Sequence, residues 1–251
     1  MPRYRLTVEY DGSAFVGWQR QENGHSVQAA LEDAAAALAN GTAVTAFAAG
    51  RTDSGVHALG QVVHIDLPRD YPAATVRLAL NSHLRPQPVA VVEAALVPDD
   101  FHARFSAQKR HYRYRILNRP AIPALDAKRV WHVFVPLDAA VMHDAAQVLL
   151  GRHDFTSFRA AACQAKSPVK TLDYLNVSRH GEEVIIETGA RSFLHNQVRA
   201  MTGTLKLVGE GKWNPTDVQN ALDARARSAA GPNAPPGGLY LTRVDYPEMP
   251  A

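Results

Sequence analysis

Gly50-Arg51-Thr52-Asp53-Ser54-Gly55-Val56-His57-Ala58-Leu59-Gly60-Gln61 is the stretch on which the reading of this chain turns. It joins two segments that read as strands, residues 44–49 and 61–67, and it gathers polar, charged and glycine residues between them. Three glycines permit positive φ or close approach of another backbone or a ligand. Asp53 lies between Arg51 and His57, either of which would hold its carboxylate ionised. Turn aspartates also bond their own backbone, so the same letters fit a plain hairpin connection.

On the N-terminal side, residues 3–10 alternate, with Tyr4, Leu6, Val8 and Tyr10 on one face and Arg5, Thr7 and Glu9 on the other, the pattern of a half-buried strand. Ser26 is placed to cap a helix carrying Val27, Leu31, Ala34 and Leu38 at helical spacing, and Asn40-Gly41 supplies its stop. Beyond the motif, the pattern predicts a helix over 72–83 and a strand over 89–96. After Pro98-Asp99-Asp100 the sequence of elements begins again with a strand over 109–117, in which Tyr112, Tyr114 and Ile116 share a face. The boundary set there divides the chain into 1–106 and 107–251.

The second half predicts a helix over 138–150, strands over 171–177 and 184–188, and a long helical stretch over 193–208 that puts His195 and Arg199 on one face. Asn214-Pro215-Thr216-Asp217 is a helix start: Asn caps, Pro takes the first turn, and Asp faces the positive end of the dipole. That helix is expected to end near Arg227, followed by a loop over 228–238 and a last strand over 239–246. No repeat is visible in the letters, but both halves offer strands with interspersed helices. The class is α+β, a pair of similar modules around a mostly antiparallel sheet.

The 251 residues are 46% apolar and 20% charged, which supports a sizeable core and argues against extended disorder. A net charge of +3 matters less than its distribution. Arg104, Lys109, Arg110, Arg113, Arg115 and Arg119 fall in a run without Asp or Glu, a block suited to tracking phosphates. Cys163 is the one cysteine, so an intramolecular disulfide and a cysteine zinc cage are excluded, and a reducing cytoplasm is the natural setting. The first residues run straight into an alternating pattern, and no apolar run approaches the roughly 20 residues of a membrane span. Walker A, G-x-G-x-x-G, H-E-x-x-H and G-x-S-x-G signatures are all missing, so no cofactor and no catalytic metal are implied. Asp53-Ser54-Gly55 has no second copy to complete an aspartic-protease dyad. An RNA-binding module without catalysis also fits the basic strands and aromatic residues.

The run from Arg51 to His57, with Gly60-Gln61-Val62, resembles the active-site motif of TruA-type tRNA pseudouridine synthases. Further blocks match in the family's order: Tyr10-Asp11-Gly12 with Phe15, Gly17-Trp18-Gln19, Phe101-His102-Ala103-Arg104-Phe105, Arg113-Tyr114, Phe193-Leu194-His195 with Val198-Arg199, Gly238-Leu239-Tyr240-Leu241, and Val244-Asp245-Tyr246-Pro247. The resemblance implies the pseudouridine synthase fold, two RRM-like or ferredoxin-like halves in a mixed, mostly antiparallel sheet with flanking helices and a central cleft. It also implies isomerisation of uridine to pseudouridine at positions 38, 39 and 40 of the tRNA anticodon stem-loop by a homodimer.

By position, Asp53 matches the essential aspartate acting at C1′, and Arg199 the arginine paired with it, with His195 as support. Tyr112 matches the tyrosine packed against the target uracil and the candidate for removing the C5 proton, although a phenol with a pKa near 10 is a handicapped base. Arg51 matches an arginine associated with displacing the target nucleotide from its stack. The basic block, with Tyr112 and Tyr114 interleaved, would add phosphate contacts and a stacking platform. Gln197 departs from the resemblance, standing where a more apolar residue is expected, as does Lys170-Thr171-Leu172 in place of Arg-Thr-Ile.

Overall fold

The computed structural model describes residues 1–22, 24–161 and 163–248. It divides into two compact units, Met1–Gln108 with Tyr240–Ala251, and Lys109–Leu239. The chain therefore returns to the first unit after Leu239, whereas the expected division placed all of 107–251 in the second.

In the first unit, β1 (Arg3–Tyr10) is flanked by β3 (His57–Asp66) and β4 (Val89–Val97), both antiparallel to it. Its alternation is realised: Tyr4, Leu6 and Val8 are fully buried, while Arg5, Thr7 and Glu9 are not. β10 (Leu239–Asp245) joins β3 in parallel, pairing Tyr240 with His57 and Leu241 with Ala58. Helix α1 (Val27–Leu38) starts where Ser26 accepts the Ala29 N–H at 3.1 Å, and buries Val27, Leu31 and Ala34. Helix α2 (Ala73–Leu84) packs on β4 and buries Val76, Leu80 and Leu84.

Two strand limits differ from the reading. The strand expected over 44–49 is only β2 (Phe47–Ala48), antiparallel to β3. Side chains of α1 take the groups a ladder would use: Glu32 accepts from the Ala46 N–H at 3.1 Å, and Gln28 donates to the Ala46 carbonyl at 3.4 Å. At the other end, β3 begins at His57 rather than Gln61, so His57 to Gly60 are strand rather than loop.

On the sheet face carrying Arg5, Phe47 stacks on His64 with centroids 4.9 Å apart, and the Ala103 N–H donates to His64 Nδ1 at 3.1 Å. Burial, assisted by the nearby Arg3 guanidinium and His102, lowers the His64 pKa to about 4. The unfolded chain binds a proton near pH 6.5 that the folded chain refuses, so the stability from this site is complete above pH 6.5 and is lost as pH falls from about 6.5 to about 4. His64→Gln keeps an acceptor but does not titrate. Urea unfolding of that variant is expected to flatten the stability–pH slope in this window, by at most about 1.4 kcal/mol per pH unit. An unchanged slope would assign the acid sensitivity to other groups.

The second unit orders its strands β5 (Lys109–Asn118), β9 (Glu183–Ala190), β8 (Val169–His180) and β7 (Gly151–Asp154), all antiparallel neighbours, with β6 (Trp131–Val133) parallel to β5. Both units are thus α+β with mixed, mostly antiparallel pairing. Helix α3 (Ala139–Ala146), capped by Asp138 and continued as a 3₁₀ turn to Leu149, packs on β8. Helix α5 (Pro215–Asp223) has the full capping box of Asn214 and Asp217, but ends well before Arg227, because Arg225 turns to φ 48° and the Ala226 N–H donates to Ser157 Oγ. Helix α4 runs over Gln197–Gly209 and not from Phe193. Among the described residues no helix is long and apolar enough to cross a membrane.

Candidate active site

In the first unit the residues from Gly50 to Val56 form a connection whose backbone is held from several sides. The Val56 N–H donates to the Asp53 carbonyl at 3.1 Å, closing a turn in which Gly55 takes φ 76°. Trp18 N–H donates to the Thr52 carbonyl at 3.0 Å. Gly17 sits at φ 117°, where a methyl group would stand 2.8 Å from the Thr52 carbonyl oxygen and 3.2 Å from the Asp53 carbonyl carbon. Only glycine lets that strand of backbone lie so close to Asp53.

Beneath the loop is a buried polar network. Tyr10 and Thr52 share a hydroxyl–hydroxyl hydrogen bond of 2.8 Å, and Gln61 Nε2 donates to the Gly50 carbonyl at 2.7 Å. Burial pushes the Tyr10 phenol up to about 12, so it remains a neutral hydrogen-bonding group at neutral pH. His57, almost fully buried, accepts the Gly12 N–H on Nδ1 at 3.1 Å, lies 3.2 Å from Asp11 and stacks on Tyr240 at 4.8 Å. Asp53, half-buried, is thus carried by a backbone with little freedom, while Arg51 at the start of the connection is exposed. The Tyr10–Thr52–Gln61 network escaped the sequence reading. A glutamine inside a strand buried on both faces was the available signal, because buried polar side chains require partners.

In the second unit, Tyr112 sits on β5 opposite Thr188 of β9, half-buried, with Phe193 edge-on to its ring at 5.1 Å and 87°. Arg199 occupies the first turn of α4, where a cation opposes the helix dipole. Its Nε donates to the Ala234 carbonyl at 2.8 Å and its Nη1 to Asn196 Oδ1 at 2.9 Å. The 230–238 loop that supplies Ala234 is itself fastened. Tyr114 donates to the Pro235 carbonyl at 2.6 Å, Gly231 N–H donates to Thr204 Oγ1 at 2.9 Å, and Ala234 N–H returns to the Arg199 carbonyl at 3.0 Å.

Three expectations are corrected here. His195 precedes α4 rather than lying on it, so it does not share a helical face with Arg199. Tyr114 is fully buried and packs in the core, so it offers no face to a base. The basic block is largely neutralised by the neighbouring strand and loop: Arg113 pairs with Glu187 at 2.9 Å, Arg115 with Glu183 at 2.6 Å, Arg119 with Glu182 at 2.8 Å, and Lys109 with Asp173 at 2.9 Å. Glu183 and Glu187 arrive through antiparallel pairing with β9, Glu182 from the turn before it and Asp173 from β8, and such a strand presents far less positive field than its own letters suggest.

Residues 6–106 and 145–247 match the model of a family described as tRNA pseudouridine synthase. The chain belongs to the tRNA pseudouridine synthase family. It is 64% identical over 247 residues to the tRNA pseudouridine synthase A of Rhodospirillum rubrum, covering 98% of this chain and 88% of that protein. Identity to the tRNA pseudouridine synthase A of Afipia carboxidovorans is 63% over 246 residues, with 98% and 100% covered. For the Maricaulis maris protein of the same name it is 61% over 247 residues, with 98% and 99% covered. The matched segments of this tRNA pseudouridine synthase family member contain both the Asp53 connection and the start of α4.

Proposed function

We propose that this chain isomerises uridine to pseudouridine at positions 38, 39 and 40 of the tRNA anticodon stem-loop, with Asp53 as the catalytic carboxylate. The observation that carries the reading is the locked backbone around Asp53, in a chain of this family: a half-buried acid held by Gly17, Trp18 and Val56 has the preorganisation that catalysis at a sugar requires. The reaction breaks the N1–C1′ bond, forms C5–C1′, and exchanges the C5 proton for one on N1. Atoms and electrons balance within the nucleotide, so the chemistry calls for no external oxidant, reductant or nucleotide. A carboxylate suits the electron-poor anomeric carbon either by adding to it or by stabilising its charge.

In this reading Arg199 holds the Asp53 carboxylate in its charged, oriented form, as a guanidinium does bidentately. Tyr112 stacks on the target uracil, a contact worth about 1 to 3 kcal/mol per base, and its phenol is the candidate acceptor of the C5 proton. Arg51 occupies the space left by the everted nucleotide. The enzyme works in the cytoplasm as a homodimer, and the exposed apolar side chains Ile122 (76%), Leu125 (96%) and Phe134 (69%) are surface that a second copy would profitably bury.

The test is incubation of the purified protein with unmodified tRNA, without added metal or nucleotide, followed by carbodiimide mapping. Pseudouridine is expected at positions 38 to 40. Uridine left unmodified there would overturn the proposal.

A further inference from the structure

Asn196 stands where a helix normally receives its side-chain cap. An asparagine at that position usually keeps extended backbone and accepts an amide N–H of the first turn. Asn196 instead adopts φ 64° and ψ 3°, in the left-handed region, and its side chain makes no cap hydrogen bond. The conformation is enforced by a reciprocal clasp: Leu194 N–H donates to Gln197 Oε1 at 2.9 Å, and Gln197 N–H donates to the Leu194 carbonyl at 3.0 Å. Making that clasp leaves Gln197, 1% exposed, with a buried Nε2 that has no partner among the described residues. A forfeited cap, a left-handed asparagine, a half-satisfied buried amide and a cation in the first turn thus coincide within four residues. Local rules broken together in this way mark a place where the fold serves something other than its own stability.

What the arrangement provides is an acceptor beside Arg199. Asn196 Oδ1 takes Nη1 at 2.9 Å, while the Ala234 carbonyl takes Nε at 2.8 Å. These nitrogens lie on different edges of the guanidinium, so two anchors fix the plane of a group that would otherwise rotate on a flexible stem. We infer that Asn196 is a positioning residue for Arg199, its side chain diverted from the helix cap to hold the guanidinium in the orientation the reaction uses. This rests on the reading that Arg199 serves the chemistry.

Asn196→Gly separates a turn-shaping role from a positioning role, because glycine adopts positive φ without strain but supplies no acceptor. On unmodified tRNA, kcat is expected to fall by about ten-fold to a hundred-fold, the span of a lost hydrogen bond to a charged group, with KM within about two-fold and the thermal midpoint unchanged or raised. Asn196→Asp, which keeps an oxygen at the same reach, is expected to recover most of that loss. A residue that merely shapes the turn would be replaced by glycine without loss, with kcat and the thermal midpoint both holding. The inference is overturned if Asn196→Gly keeps kcat within two-fold, or if Asn196→Asp loses as much as Asn196→Gly. Arg199→Ala, assayed alongside, distinguishes the levels: retained turnover there would remove the underlying reading, whereas lost turnover with an active Asn196→Gly removes only the role of Asn196.

Discussion

Asp53→Asn is expected to lower kcat by about 10⁴-fold or more while unmodified tRNA still binds within about three-fold of the parent, the pattern of a group that acts only in the transition state. The substitution is nearly isosteric, and the features that hold this part of the chain are largely backbone: the Thr52 carbonyl bonded to Trp18, the Asp53 carbonyl bonded to Val56, and Gly17 lying against both residues. The variant should therefore fold as the parent does. What changes is the charge available at C1′ when the glycosidic bond breaks, and an amide neither adds to that carbon nor balances its positive character. Release of tritium from the C5 position of the target uridine measures the loss directly, and filter binding measures the retained affinity. Turnover within ten-fold of the parent would sink the assignment of Asp53.

The second large effect concerns stability. Gly203 lies on α4 where a methyl group would run into the Pro232 carbonyl oxygen, a backbone atom that can move only if the loop carrying it moves. The loop on the other side is tied to the helix by the Gly231–Thr204 hydrogen bond and by the paired bonds between Ala234 and Arg199. Gly203→Ala must therefore push the loop off the helix and release those bonds, at about 3 kcal/mol or more despite the better helix propensity of alanine. For a chain of this size that corresponds to a fall in thermal midpoint of roughly 6–12 °C. Because Ala234 leaves with the loop, kcat should also fall. A variant that melts within 2 °C of the parent would show the loop to be adaptable.

Much of the fold was legible because local patterning and tertiary burial agree. The alternation of residues 3–10, the Ser26 cap and the Asn214–Asp217 box each appear where the letters put them. The failures have specific causes. A strand pattern over 44–49 was shortened because Gln28 and Glu32, fourteen to eighteen residues away, took the backbone groups of Ala46. The start of α4 was placed too early because apolar periodicity runs straight through a left-handed residue without registering it. The basic run looked uncompensated because its acids, Glu182, Glu183 and Glu187, sit more than sixty residues further along and meet it only through strand pairing. Asp53, Tyr112 and Arg199 were named through the likeness of their motifs. The Tyr10–Thr52–Gln61 network and the Asn196 contact were not, since each depends on side chains brought together by the fold.

The return of β10 to the first unit carries a consequence for biosynthesis. Tyr240 and Leu241 pair with His57 and Ala58, at the foot of the strand that follows the Asp53 connection. A nascent chain halted after its first 108 residues has every other strand of that unit and lacks this one. Vectorial folding on the ribosome therefore leaves one margin of the β3 segment waiting until all of the second unit has emerged, so the aspartate's surroundings are finished only after that unit has been made.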